Sequence, residues 1–467
     1  MKIKQRPEDF VVREGYRFEP EAEGPVWVYR MDKQKVSTLQ ALERISKEFA
    51  VRRRDLSICG LKDKQGRTEQ LVGVLGGALG DSEVLQSGDL RLKLIGRAAQ
   101  PLSSRNITAN RFEVTVRDLS PQEAERVAES AAEVERTGVV NYFDSQRFGF
   151  LKHGQGFIAR HLLRGDWEGA LKAFLATPSE LDRSDDAKVK TFWREHWGEW
   201  QLRAPQAAGK RYAPILRRLR EDPRDFKGAF LHIDRRLRMM ALFELQSFVW
   251  NEGVKRYLGG RIPAADLIGL RYQAGALVFP RSLPRELRDD LWNRTFPLLA
   301  PDSQVENPRV REAALGALRA QGLALEQLRV PDSPLFFKHE ERPLFIRPGK
   351  LRVHPPRPDE LNRGKRKVNL SFTLPPGAYA TLVVRRVLWF ATETARPVLP
   401  SPSAKSAQPP TSPPAERERS STRPGTPAAA AGSERAAQPQ GFLARQRARK
   451  AARAAHRAAA RNPRTGR

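Results

Sequence analysis

The chain has 467 residues, with 83 Lys and Arg against 54 Asp and Glu and a net charge of +29. A field of that sign selects polyanions, nucleic acid first, and the 40% hydrophobic content is enough for cores in about two to three domains. A single cysteine, Cys59, excludes an internal disulfide framework and a cysteine-based zinc cluster.

The start, "MKIKQRPEDF", has no apolar signal core, and no run approaches the length of a membrane span, so the expected setting is a reducing cytoplasm. Through residue 36 the chain reads as strands and turns, with "FVVRE" and "VWVYRM" the clearest strands. "STLQALERISKEFA" reads as a helix capped by Ser37 and Gln40, with Leu39, Leu42, Ile45 and Phe49 as its stripe. "LSICG" (56–60) is a short strand, and "EQLVGVL" and "LRLKLIG" are two more. In "RFEVTVRDL", Phe112, Val114 and Val116 alternate with Glu113, Thr115 and Arg117. A helix follows, capped by Ser120, with Pro121 at its first position, Glu123 closing the box and Gly138 ending it.

From about residue 139 to 330 the pattern turns mostly helical, as in "DWEGALKAFLAT", "RLRMMALFELQSFVWNEGVKRYL" and "VREAALGALRAQG". Strand patterning returns in "KVNLSFTLPP", and "AYATLVVRRVLWF" reads as a helix after a Pro-Pro-Gly turn. This β-rich, α-rich, β-rich order predicts an α+β protein in which one domain interrupts another, with segments 1–138, 139–330 and 331–392. Beyond that the chain is Pro, Ala, Ser and Arg, too poor in large apolar side chains for a core, and disorder is expected over 393–467. Residues 401–467 carry 14 Lys and Arg against 3 Asp and Glu, so +11 of the charge belongs to this tail and +18 to the rest.

Asp63 stands in the loop "GLKDKQG", between Lys62 and Lys64 and flanked by Gly60 and Gly66. It reads either as a turn aspartate balanced by its neighbours or as a reactive anion. A carboxyl with an ordinary pKa of about 3.9 needs no lysine to ionise at neutral pH. The lysines are better used to hold phosphates, since two unit charges at about 4 Å interact by roughly 4 kcal/mol at an effective dielectric near 20. In "KQRPEDFVVRE", Phe10 is either a core residue or the rim of a base pocket, with Lys4 near the carboxylate. In "NRF", Asn110 suits a base edge, and Phe112 is either a core aromatic or a stacking ring. Tyr379 has the same two readings, and "NYFDSQRFGF" with Arg147 is either a hinge or an RNA contact. No phosphate-cradling glycine motif, H-E-x-x-H or Cys/His cluster is present.

Taken together and in order, "KQRPEDFVVRE", "GLKDKQGRTEQ", "NRF", "NYFDSQRFG" and "LPPGAYATLVVR" resemble the TruD family of tRNA pseudouridine synthases over about residues 2 to 390. "LQSFVWNEGVKRYL" is similar to a helix of that family's inserted domain. The resemblance implies a pseudouridine-synthase catalytic domain, a mixed sheet with helices, interrupted by a mostly helical α/β insertion. It implies catalysis by Asp63 on uridine 13 of tRNA, with Lys4, Phe10, Asn110, Phe112 and Tyr379 around the base and no metal or cofactor. Lys62, Lys64 and Arg147 would then contact RNA phosphates. A monomer acting on tRNA is expected, with no protein partner and no membrane. Gly66-Arg67 and Asp144 depart from the family pattern, at the pocket wall and the hinge. Two other readings are a non-catalytic RNA-binding protein on the same scaffold and a metal-dependent nuclease built on Glu8, Asp9 and Asp63.

Overall fold

Regular alternation in the first 120 residues produces one sheet. The computed structural model describes residues 1–391 except 78, 80–82, 152–155, 180, 181, 183 and 204–208, and for 83–87 and 209–211 it describes the backbone alone. The tail expected to be disordered, 393–467, lies outside the described residues. In chain order come β1 (Phe10–Tyr16), β2 (Val26–Gln34), α1 (Thr38–Glu48), β3 (Leu56–Ile58), β4 (Arg67–Leu75), β5 (Glu83–Ser87), β6 (Leu90–Ala98), β7 (Ile107–Leu119) and α2 (Pro121–Thr137).

The middle of the chain is mostly helical, as its pattern predicts. It runs β8 (Val139–Val140), α3 (Ile158–Leu163), α4 (Trp167–Leu175), α5 (Ser184–Glu195), α6 (Gly209–Glu221), α7 (Phe226–Leu231) and the long α8 (Arg235–Gly259). A hairpin of β9 (Leu267–Tyr272) and β10 (Gly275–Pro280) follows, then α9 (Arg285–Trp292), β11 (Thr295–Leu298) and α10 (Pro308–Arg319). The last stretch holds β12 (Glu340–Pro343), β13 (Phe345–Ile346), β14 (Gly349–Val353), β15 (Arg357–Pro358), β16 (Arg366–Leu374) and α11 (Ala380–Val387).

The main sheet has the order β14-β16-β7-β1-β4-β2-β6-β5, with β15 beside β16 and β3 beside β4. Only the β1–β4 pair is parallel among the described residues. Strand β16 therefore lies in register on β7, Phe372 opposite Phe112, although the helical middle separates them in sequence. The exit and return of that middle are also paired, β8 with β13 and β11 with β12. The fold is α+β, with a mixed sheet and a helical layer.

Local signals explain most elements. Ser120 and Glu123 cap α2 reciprocally, at 3.2 and 2.7 Å, and Gly138 ends it at φ +71, where a side chain would meet the Ile346 carbonyl. Val127, Ala131 and Val134 of α2 are buried against β7 and β16. Helix α1 has the expected Ser37–Gln40 cap, but its buried stripe is Thr38, Ala41, Leu42 and Ile45. Leu39 is 42% exposed. The i, i+3, i+4, i+7 set from Thr38 outcompetes the set from Leu39 because Thr38 hydrogen-bonds Gln70 in the sheet, at 2.9 Å.

Arg117 joins the two ends of the sheet. It is 4% exposed and donates to Asp9 (2.9 Å), Asp359 (2.9 Å) and Glu360 (3.1 Å). Burial opposes the charge on Asp359, but donation from the Asp118 and Leu361 amides, Asn362 and Arg117 outweighs it and holds that carboxyl far below the usual carboxylate range. Such a group stabilises the fold above its ordinary pKa and loses that contribution as pH falls below it. Arg117→Ala would leave Asp9 and Asp359 buried without their cation, and a loss of about 3–5 kcal/mol is expected in urea unfolding at neutral pH. The deficit should shrink as the pH is lowered below about 4, where Asp359 becomes protonated in the unfolded chain and its native pairing contributes less.

Candidate active site

Along one edge, β4 changes partner. Residues 67–69 pair with β1 and residues 72–74 pair with β3, and the chain between β3 and β4 emerges where the partners exchange. In that gap the Leu71 amide donates to the Glu14 carboxylate (3.1 Å), and Gln70 donates to the Gly60 carbonyl (3.0 Å). The loop 59–66 is thereby tied to β4 at Gly60, near its start, and Asp63 lies between that tie and the start of β4.

Asp63 accepts from the Lys4 ammonium at one oxygen and from the Gln65 amide (2.9 Å) at the other. Its side chain is 17% exposed, so it is sheltered yet reachable. Burial opposes its charge, but the Lys4 hydrogen bond and charge, the Gln65 amide and the charge of Lys33 prevail and hold the carboxyl below its ordinary value. It is an anion at neutral pH. Beneath it lies Lys33, 1% exposed, whose ammonium donates to the carbonyls of Asp63 and Val36 at 2.9 Å each. Burial pulls Lys33 down to about 8, while the charge of Asp63 pulls it up.

An aromatic wall adjoins the anion. Lys4 sits 4.1 Å above the Phe10 ring, Phe10 lies 6.1 Å from Phe112, and Phe112 stacks on Phe372 at 5.6 Å. Phe10 and Phe112 are 4% and 8% exposed, so the core reading of both rings holds, and Phe10 also lies against Lys4. Asn110, one alternation away from Phe112 on β7, has a buried side-chain carbonyl with no partner among the described residues. Such an acceptor costs about 1–3 kcal/mol unless something fills it.

Tyr379 is half-buried at the start of α11 and meets the edge of Phe143 at 6.4 Å. Arg342 fixes this corner. It donates to the Asn141 backbone carbonyl (2.8 Å), the Asn141 side chain (2.7 Å) and the Gly377 carbonyl (3.0 Å), and it lies over Phe143 at 4.3 Å. Gly377 turns the chain at φ +80, a conformation a side chain resists. Asp144 accepts from Thr381 (2.5 Å) and Arg385 (3.0 Å), so the segment after β8 holds the helix that follows Tyr379. Beside this corner a cavity of about 530 Å³ opens between Ile3, Ser145, Gln273 and Arg385, next in sequence to Lys4.

The remaining candidates separate. Lys62 turns inward, 7% exposed at its side chain, and pairs with buried Glu14, so it faces away from any phosphate. Lys64 has no acidic partner among the described residues. Arg147 donates to Ser247 (3.0 Å) and lies over Phe143 at 5.4 Å. Asp9 is spent on Arg117, and Glu8 accepts from Gln34 (2.9 Å). The carboxylates of the nuclease reading therefore diverge, and no group of three His, Cys, Asp or Glu among the described residues is placed to hold a metal ion. The sequence reading missed Lys33, Glu14 and Arg342. The first two had a signal, since each occupies the inward phase of a strand, after Tyr29 and Met31 and after Phe10 and Val12. Arg342 had none.

No helix among the described residues is long and apolar enough to cross a membrane. The profile of the TruD family, tRNA pseudouridine synthase D, matches residues 1–387. "Probable tRNA pseudouridine synthase D 2" of Methanocaldococcus jannaschii is 31% identical over 393 residues, covering 83% of this chain and 91% of that protein. "tRNA pseudouridine synthase D" of Aquifex aeolicus is 27% identical over 395 residues, covering 83% and 98%. The crystal structure of a Methanosarcina mazei protein assigned as tRNA pseudouridine synthase D superposes with a TM-score of 0.60 at 24% identity, over 83% of this chain and 93% of that one, and shows a shared fold. A match that runs from the first residue to the last helix, through every strand around Asp63, leaves one assignment: this chain is a member of the TruD family of tRNA pseudouridine synthases.

Proposed function

We propose that the chain isomerises uridine to pseudouridine in tRNA, at position 13, acting as a cytoplasmic monomer whose catalytic part is formed by segments 1–138 and 331–392 around the insertion 139–330. The observation that carries this reading is the sheltered Asp63 anion beside Lys4, Phe10 and Phe112. The reaction breaks the N1–C1′ bond, turns the base and joins C5 to C1′, while the C5 proton leaves and N1 gains one. Atoms balance without an external reactant. Asp63 serves at the sugar, either attacking C1′ or taking the C2′ proton, and Lys4 keeps it anionic while a phosphate approaches.

Asn110 fits the turn of the base. Rotating uracil by half a turn about its N3–C6 axis exchanges N1 with C5 and O2 with O4, but leaves the N3–H in place. The unpartnered Asn110 carbonyl can accept that N–H before and after the turn. Extruding the nucleotide costs a few kcal/mol, and stacking on an aromatic returns roughly 1–3 kcal/mol per base. Phe112 with Phe10 or Tyr379, together with phosphate contacts, is sufficient.

Incubation with unmodified tRNA transcripts, followed by mapping of converted uridines, tests the reaction and its position. Asp63→Asn should abolish product while leaving tRNA affinity within about threefold. A variant that still turned over would remove the aspartate from the chemistry, and a wild type that bound tRNA without converting it would leave an RNA-binding protein.

Phe112→Leu, which preserves most of the core volume but removes the ring face, should lower turnover about tenfold and keep most of the affinity, because phosphates dominate binding. Loss of tRNA binding at every salt concentration in this variant would contradict the stacking role.

Lys33→Met removes the ammonium that holds the Asp63 and Val36 carbonyls. A kcat lower by roughly ten- to hundredfold is expected from the displaced carboxylate, with little change in KM. Lys33 also has a signed signature in stability. Its folded pKa of about 8 lies below the ordinary lysine value of 10.5. The native state therefore binds fewer protons than the unfolded state between those values, and stability rises with pH across that window. Urea unfolding at about pH 7.5 and 9.5 should show this rise in wild type and its loss in Lys33→Met.

A further inference from the structure

The sheet has a second, polar face. Phe112, Leu370 and Phe372 point to the covered side of β7 and β16, so Arg111, Glu113, Asn369, Ser371 and Thr373 point to the other. A groove of about 520 Å³ lies there, walled along the sheet edge by Lys350, Arg352 and His354 of β14 and the residue that follows it. The wall is built by a bulge. Gly349 pairs with Thr373 but Arg352 pairs with Ser371, which leaves one extra residue on β14. Lys350 occupies it at φ +53, a backbone conformation that disfavours a lysine and is retained where the surroundings or a function demand it.

The charge of the groove is unbalanced. Its one carboxylate, Glu113, is shared by Arg13 at 2.5 Å and Arg111 at 3.7 Å. Lys350, Arg352 and His354 are exposed and have no acidic partner among the described residues. The floor is polar, with the Asn369 amide and the Ser371 and Thr373 hydroxyls available as donors. A protein-binding patch would be expected to centre on exposed aromatic or aliphatic anchors, and here those side chains face inward. Cations around hydroxyl and amide donors match a sugar–phosphate backbone.

We propose that this reverse face is a second RNA-contact surface, which holds the backbone of the tRNA at a distance from the nucleotide beside Asp63. The identity of the RNA rests on the function proposed above, whereas the contact itself rests on the groove. The face sets affinity and register and takes no part in the bond-making step.

The test uses the full-length protein and an unmodified tRNA transcript, titrated from about 50 to 200 mM salt, with the double variant Lys350→Ser/Arg352→Ser. Two lost phosphate contacts should flatten the slope of log affinity against log salt by about 2 and weaken binding at the lowest salt by about tenfold or more. The kcat at saturating tRNA and the unfolding midpoint should not change. A short hairpin carrying only the arm with the target uridine should bind wild type and variant alike. An unchanged salt slope with tRNA overturns the proposal, and so does a fall in kcat at saturating tRNA with an intact fold. If wild type converts no uridine but the slope still drops in the variant, the reverse face stands and the proposed reaction fails.

Discussion

Strand β16 pairs with β7 over the whole stretch from Arg366–Leu119 to Leu374–Asn110, and that seam is what joins the late segment of the chain to the early sheet. Closing a chain loop of some 260 residues carries an entropic cost that grows only with the logarithm of its length, roughly 5 kcal/mol beyond a constant. The seam offsets it in several places at once. Phe112 stacks on Phe372, β8 pairs with β13 where the chain leaves and returns, and Arg117 ties Asp9 to Asp359 and Glu360. A long insertion is tolerated because its two ends are pinned side by side. Lys4 and Asp63 meet at one end of this sheet, while Tyr379 at the start of the last described helix packs on Phe143 near the Arg342 corner.

The charges around Asp63 are divided by depth. Three lysines approach the loop, and each has a different role. Lys4 contacts the carboxylate from the Phe10 side, Lys33 holds the backbone carbonyl from below, and Lys62 turns away to neutralise buried Glu14. Glu14 has its own task, since its other oxygen accepts the Leu71 amide at the point where β4 changes partner. Removing the Lys62 charge would leave a buried carboxylate uncompensated, which is far costlier than losing a surface pair. Lys62 is therefore committed to the scaffold, which leaves Lys4 as the ammonium on the Asp63 carboxylate.

Much of this was legible in the residues. The alternation of β7, the Ser120–Glu123 and Ser37–Gln40 caps and the return of strand patterning at Val368 encode local structure through local spacing, and they lie where that spacing puts them. Leu39 was misplaced because the expected stripe shares Leu42 and Ile45 with the observed one, and a hydrogen bond from Thr38 to a distant strand fixes which side of them turns inward. The partners of Arg342, Asp144 and Lys62 were hidden for the same reason. Each meets its counterpart across 35 to 241 residues or from another strand, and the chemistry of a single arginine or aspartate does not specify which. Lys4 was expected near the Asp63 carboxylate and hydrogen-bonds it, whereas the support from Lys33 beneath the loop was not foreseen, since it arrives from β2.

The departures from the family pattern acquire physical content at Phe10. Gly66 is buried, and a side-chain carbon built on it would lie 2.2 Å from the Phe10 carbonyl and 3.1 Å from the edge of its ring. The loop that carries Asp63 thus rests directly on the backbone of β1, at the residue whose ring lies under Lys4. A larger residue there would lift the loop or push the ring, and either movement would separate the aspartate from the ammonium that keeps it charged. Arg67, by contrast, is exposed at the start of β4, opposite Val11 and Gln34, and its side chain does not enter the wall of Phe10 and Phe112. Asp144 acts elsewhere, holding α11 through Thr381 and Arg385. Of the departures, Gly66 therefore bears on the Asp63 loop, by setting how closely that loop can approach β1, whereas Asp144 bears on the seating of α11.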